Sequence, residues 1–113
     1  MITRKEIIEK TAETLIKAST VFRPDQLEAY KRAAEREESE HAKWVLNNII
    51  KNAEIAEDKV FPLCDDTGIP HVLVEVGEDA VVPAGFFSAV EEGVAEGLRK
   101  LPGRPMAVKG NDY

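Results

Sequence analysis

"FPLCDDTGIPHVLVEVG", residues 61–77, is the stretch on which the fold turns. Before it, apolar residues recur every three or four positions, the period of a helix. Within it, "HVLVEVG" is β-branched and alternating, the period of a strand. Pro62, Gly68 and Pro70 punctuate the change as a loop. The spacing therefore predicts an α+β fold. A mainly helical N-terminal half (1–58) precedes a loop–strand–helix unit (59–113), with a small sheet built around His71 to Val76.

Upstream, "TRKE" (Thr3 to Glu6) has the form of a capping box, with Thr at the N-cap and Glu three residues on. Ile7, Ile8, Thr11, Ala12, Leu15 and Ile16 follow at helical spacing, about four turns of amphipathic helix. A second helix restarts after Pro24, opened by Asp25 and Gln26, and its charge-rich middle reads as a solvated face. "HAKWVLNNIIKNAEIAEDK" continues as helix, and Ser39 leaves open whether a break separates the two. Downstream, "EDAVVPAG" adds a short strand or a turn. "FFSAVEEGVAEGLRK" is helical again, although Gly93 and Gly97 weaken it unless another backbone packs closely there. The tail "LPGRPMAVKGNDY" has no element of its own. Three or four helices and one domain over 1–113 are expected.

Composition narrows the function. At 113 residues and 43% hydrophobic, the chain can bury one modest core. Fifteen basic against 21 acidic residues give a net charge of −6, with no basic stripe to bind nucleic acid. No apolar run approaches the roughly 18 residues of a membrane span, and the start lacks the apolar region of a secretory signal. One cysteine forms no internal disulfide, so a reducing cytoplasm is the expected location.

The quoted stretch also gathers chemistry. Cys64 reads either as an inert core thiol or, in a loop beside acids, as a soft ligand for an iron–sulfur cluster or zinc. Flanking carboxylates disfavour a free thiolate nucleophile. Asp65, Asp66 and Thr67 read as turn residues around Gly68, or as a carboxylate placed for proton transfer beside a Lewis acid. Cys64 and His71 alone do not complete a zinc site, and His41 is remote in sequence.

"PLCDDTGIPHVLVEVG" resembles the "CQDTG" signature, strand and glycine of class I iron–sulfur-dependent fumarase and L-tartrate dehydratase alpha regions. The helical opening with "LIKAST", the helix after the strand, and "GRPMAV" are similar to the same family. The likeness covers essentially the whole chain but only the N-terminal part of an alpha region. It implies a hydro-lyase that reversibly hydrates a small dicarboxylic acid such as fumarate/malate or tartrate, with a 4Fe-4S cluster in the complete enzyme. Carried across, Cys64 is one metal ligand, Asp66 the proton-transferring aspartate, and Thr67 a catalytic-loop hydrogen-bonding partner. Asp65 lies against the substrate, and Arg104 pairs with a substrate carboxylate. Arg99, in "GLRK", is the competing arginine.

The chain departs from the family pattern twice. The family needs three cysteines for its cluster and this chain has one, so the cluster is expected to be absent from the chain alone. Asp65 stands where the motif commonly has glutamine, and an ionised carboxylate repels a dicarboxylate where an amide would donate. The implied partners are a small dicarboxylate, a remaining alpha region or beta subunit or domain supplying further cysteines, and a second copy in a homo-oligomer. Phe86, Phe87, Val90 and Val94 exceed the needs of a small core, so that helix is the expected docking surface. The alternative reading is a non-catalytic helical binding or assembly module that keeps the scaffold.

Overall fold

The computed structural model of the chain describes residues 1–63 and 69–101. Four helices account for its regular structure: α1 (Arg4–Thr20), α2 (Pro24–Arg36), α3 (Glu40–Lys59) and α4 (Phe86–Lys100). The expected capping box closes α1 on both sides. The Thr3 N–H donates to Glu6 Oε2 at 2.8 Å, and the Glu6 N–H donates to Thr3 Oγ1 at 3.2 Å. Pro24 fills the first turn of α2, where its missing N–H leaves no bond unmade. There the Gln26 side chain accepts from the Arg23 N–H at 3.3 Å, which is half of a box because a guanidinium has no acceptor to return.

Ser39 does break the second helical run. Its Oγ accepts the Ala42 N–H at 3.3 Å as the N-cap of α3, and Glu37 Oε1 accepts the Ser39 N–H at 3.0 Å. The three residues 37–39 thus join α2 to α3 as a short helical hairpin.

The chain divides into two compact units. In one, residues 17–63, α2 packs on α3 around the buried small residues Ala34, Ala53 and Ala56, and Phe22 stacks on Tyr30 at 5.3 Å. In the other, the first sixteen residues pack against α4. Ile7, Ala89 and Val90 are buried together, flanked by Ile8, Phe86 and Val94. Arg4 bonds Glu92 at 2.6 Å across the same pair.

Gly93 and Gly97 meet the condition their sequence set. A Cβ on Gly93 would lie 2.5 Å from Thr11 Cβ and 2.8 Å from the Ile8 carbonyl oxygen. One on Gly97 would lie 2.7 Å from Leu15 Cδ2 and 3.3 Å from Ala12. Two helix backbones approach here more closely than any side chain allows.

The expected sheet is absent among the described residues, so the α+β assignment is corrected to a helical one. Residues 71–76 carry the side-chain pattern of a strand but have no ladder. Among the described residues the nearest backbone bond is the tight turn in which the Ala80 N–H donates to the Gly77 carbonyl at 3.0 Å. Alternation predicts which faces a strand would bury; only a neighbouring backbone makes it a strand. The docking expectation for α4 is also revised, since Phe86, Val90 and Val94 serve the unit's own core, leaving Phe87 and Leu98 exposed.

Candidate functional site

Cys64, Asp65, Asp66, Thr67 and Arg104 all lie outside the described residues. Two adjacent acids are not buried without partners, so the sequence also predicts the 64–68 loop at the surface or in a cleft, and that expectation falls on the same undescribed residues. What the structure describes is the scaffold from which these residues depart.

On the N-terminal side the approach is held at two points. The Phe61 N–H donates to the Ala56 carbonyl at 3.0 Å, closing α3 with a six-residue turn of the Schellman kind. That turn puts Val60 at φ 56°, ψ 49°. Valine is a costly choice there, because its branched Cβ crowds the following carbonyl in the left-handed region. Two residues on, the Leu63 N–H donates to the Ser19 carbonyl at 2.8 Å. The chain is thereby pinned to the C-terminal turn of α1 immediately before Cys64. No sequence signal announces either device, since glycine would be expected at the turn and a carbonyl clamp has no side-chain signature.

On the C-terminal side, the Leu101 N–H donates to the Gly97 carbonyl at 3.0 Å and ends α4 three residues before Arg104. Arg99 is described, and its guanidinium donates to Glu96 at 2.8 Å on its own helix. Lys100 lies 3.6 Å from the same carboxylate. The hydrogen bond from Arg99 is the largest influence holding the Glu96 carboxyl below its ordinary value. Elsewhere His41 stacks on Trp44 at 6.1 Å, and His71 is exposed.

Among the described residues no cluster of His, Cys, Asp or Glu can hold a metal ion. An open groove of about 320 Å³ between α2 and α3 is lined by Lys31, Ala34, Glu35, Lys43, Asn47 and Ile50, none of them an expected site residue. With one cysteine in the sequence, the chain supplies at most one thiolate, so its own residues do not fit a 4Fe-4S cluster. No described helix is long and apolar enough to cross a membrane.

Comparison with known proteins gives a consistent picture. The profile of the Fumerase family, fumarate hydratase, matches residues 8–111. The putative L(+)-tartrate dehydratase subunit alpha of Methanocaldococcus jannaschii is 32% identical over 97 residues, 83% of this chain and 34% of that protein. Fumarate hydratase 2 of Leishmania major is 45% identical over 58 residues, half of this chain and 10% of that protein. The chain thus spans about a third of the length of the first relative and a tenth of the second. No solved structure matches it.

Proposed function

Because the chain belongs to the fumarate hydratase family, we propose that it is the N-terminal part of an alpha region in a hydro-lyase acting on a small dicarboxylic hydroxy acid of the fumarate/malate or tartrate type. The observation that carries this reading is the extent of the match. Residues 8–111 span the whole run from Cys64 to Arg104, so the likeness is not confined to a five-residue motif.

Within that enzyme Cys64 would hold one position of an iron–sulfur centre whose other ligands come from outside this chain. Such a centre would supply Lewis acidity toward the leaving hydroxyl. Asp66 transfers the proton next to the reacting carbons, Thr67 orients the loop through hydrogen bonds, and Asp65 lies against the substrate. Arg104 pairs with a substrate carboxylate through its planar fork. Arg99 is the poorer choice because Glu96 already accepts its N–H. The remaining alpha region, together with a beta subunit or domain, completes the site. A cytoplasmic setting suits a chain with a single cysteine.

The test is anaerobic iron–sulfur reconstitution of the chain, alone and with the complementary polypeptide, followed by dehydratase assays on several 2-hydroxy dicarboxylates. Turnover is expected only with the complement present, and is lost on Cys64→Ser. A complex that forms, incorporates iron and turns over none of these acids would leave the binding-module reading in its place.

A further inference from the structure

The outer face of α3 carries the chain's one tryptophan where its own packing has no use for it. Successive residues of a helix are about 100° apart, so Trp44 stands half a turn from the buried Ala53, at the centre of the face turned from the core. Its side chain is large, yet the residue is 63% exposed. Ile55, also exposed, lies on the same line about three turns further on, and Asn48 and Lys51 fall between them at helical spacing.

The indole is ordered in advance. The His41 ring, one turn earlier, stacks on it with the planes 16° apart. The Asn48 amide is laid along the helix by donating to the Trp44 carbonyl at 2.8 Å. A single exposed apolar residue needs no explanation, but a tryptophan at the centre of a polar face gives its own fold little. To a partner the same ring offers a large rigid area at low entropic cost, which is why tryptophan is enriched among the residues that anchor interfaces.

We propose that the Trp44 stripe of α3 is a docking surface for the part of the alpha region that the relatives carry beyond the matched third. That part would offer an apolar pocket for the indole, rimmed by oxygen acceptors for the indole N–H and the Lys51 ammonium. The inference rests on the reading of the chain as part of a hydro-lyase. Length supplies the occupant, because the match covers 34% of the tartrate dehydratase subunit and leaves about two thirds of it to lie against this chain. A second copy fits the stripe poorly. Trp44, Asn48, Lys51 and Ile55 would form the seam of a helix pair, and half of that seam is polar. Parallel copies would set Lys51 on Lys51. Antiparallel copies would set the edge that carries Glu40 and Asp58 against the same edge of the twin. Size argues likewise: a stripe about 16 Å long on a helix about 10 Å wide covers on the order of 160 Å², against roughly 800 Å² from each partner in a stable pair. The stripe suits one element of a larger contact, which the rest of a subunit can supply.

The test uses the 113-residue chain labelled with 5-fluorotryptophan, so that Trp44 gives a single fluorine signal. The probe is the polypeptide forming the two thirds of the Methanocaldococcus jannaschii alpha subunit that the chain does not match. On adding it, the Trp44 signal should shift and lose its response to a soluble gadolinium chelate. Trp44→Ala should weaken binding about 30-fold, the mark of an anchoring aromatic, while Glu57→Ala, on the same helix but well round from the stripe, leaves it unchanged. The isolated Trp44→Ala chain should melt within about 3 °C of the parent, which separates lost docking from lost folding. Binding that leaves Trp44 open to the chelate, binding that Trp44→Ala does not weaken, or no binding at all overturns the proposal. So does a loss of response in the chain alone that grows with its concentration, which would give the stripe to a second copy. A complex that covers Trp44 yet turns over none of the acids tried would instead sink the hydro-lyase reading and leave the docking surface standing.

Discussion

Replacing Gly93 with alanine should destabilise the protein, and by more than the same change at Gly97. Each substitution gains about 1 kcal/mol of helix propensity. Against that gain stand the contacts of the new methyl. At Gly93 it meets Thr11 Cβ at 2.5 Å and the Ile8 carbonyl oxygen at 2.8 Å, and neither atom moves by rotating a side chain. The helices must part, and overpacking of this kind costs about 3 kcal/mol at the upper end of its range. The net loss is then about 2 kcal/mol, a fall in Tm of about 8 °C for a domain this size. At Gly97 the tightest contact, 2.7 Å, is with Leu15 Cδ2, the end of a flexible side chain, and the Ala12 backbone stands at 3.3 Å. That relief costs about 1 kcal/mol and cancels the propensity gain. Urea unfolding followed by far-UV circular dichroism reads both. Thr11→Ala in the Gly93→Ala background should recover only part of the loss, because Thr11 Cγ2 goes while the Ile8 carbonyl stays. Equal stability of the two alanine variants, or a gain at Gly93, would falsify the close approach of α4 to α1.

Val60→Gly should stabilise the protein. Relieving a left-handed valine returns about 1–2 kcal/mol, and the added freedom of the unfolded chain takes back about 0.5–1; a lower urea midpoint would show that Val60 is held by packing instead. Thr3→Ala should cost about 1 kcal/mol through loss of the N-cap, read by thermal unfolding. The same cap is pH-dependent. The Thr3 backbone N–H, then its hydroxyl, hold the Glu6 carboxyl below its ordinary 4.5. A depressed carboxyl stabilises the fold above its unfolded value, and that contribution disappears as pH falls through the lower folded value. Glu6→Gln should therefore flatten the acid limb of the stability profile below pH 4.5, and an unchanged limb would count against the cap. In the assembled enzyme, Arg104→Lys should raise KM with iron content unchanged, since lysine keeps the charge and loses the fork. Unchanged kinetics there, with Arg99→Lys crippled, would reverse the choice of arginine.

The helices were legible because their signals are local. Thr3 and Glu6 lie within one turn, Pro24 fixes a start by its own ring, and the amphipathic period of α1 repeats over four turns. Even the doubt about Gly93 and Gly97 was informative. Glycine spaced by four inside a helix is unfavourable by itself, so its presence asked for a second backbone, and α1 is that backbone. The capped break at Ser39 needed a choice between two serine roles, helix surface or N-cap, that three preceding charged residues do not settle. Val60 was not legible at all, because nothing in its side chain prefers the left-handed region it occupies.

The strand pattern at 71–76 misleads for a different reason. Alternation reports which side chains a strand would bury, while a sheet is a relation between two backbones, and residues 71–76 have no ladder among the described residues. The same logic runs through the site. The roles proposed for Cys64 and Arg104, which stand 40 positions apart, each call on groups from outside this chain, further thiolates for the first and a substrate for the second. In the structure Val72, Leu73, Val74, Val76, Val81 and Val82 all stay exposed, although water opposes this at roughly 25 cal/mol for each Å² of apolar surface.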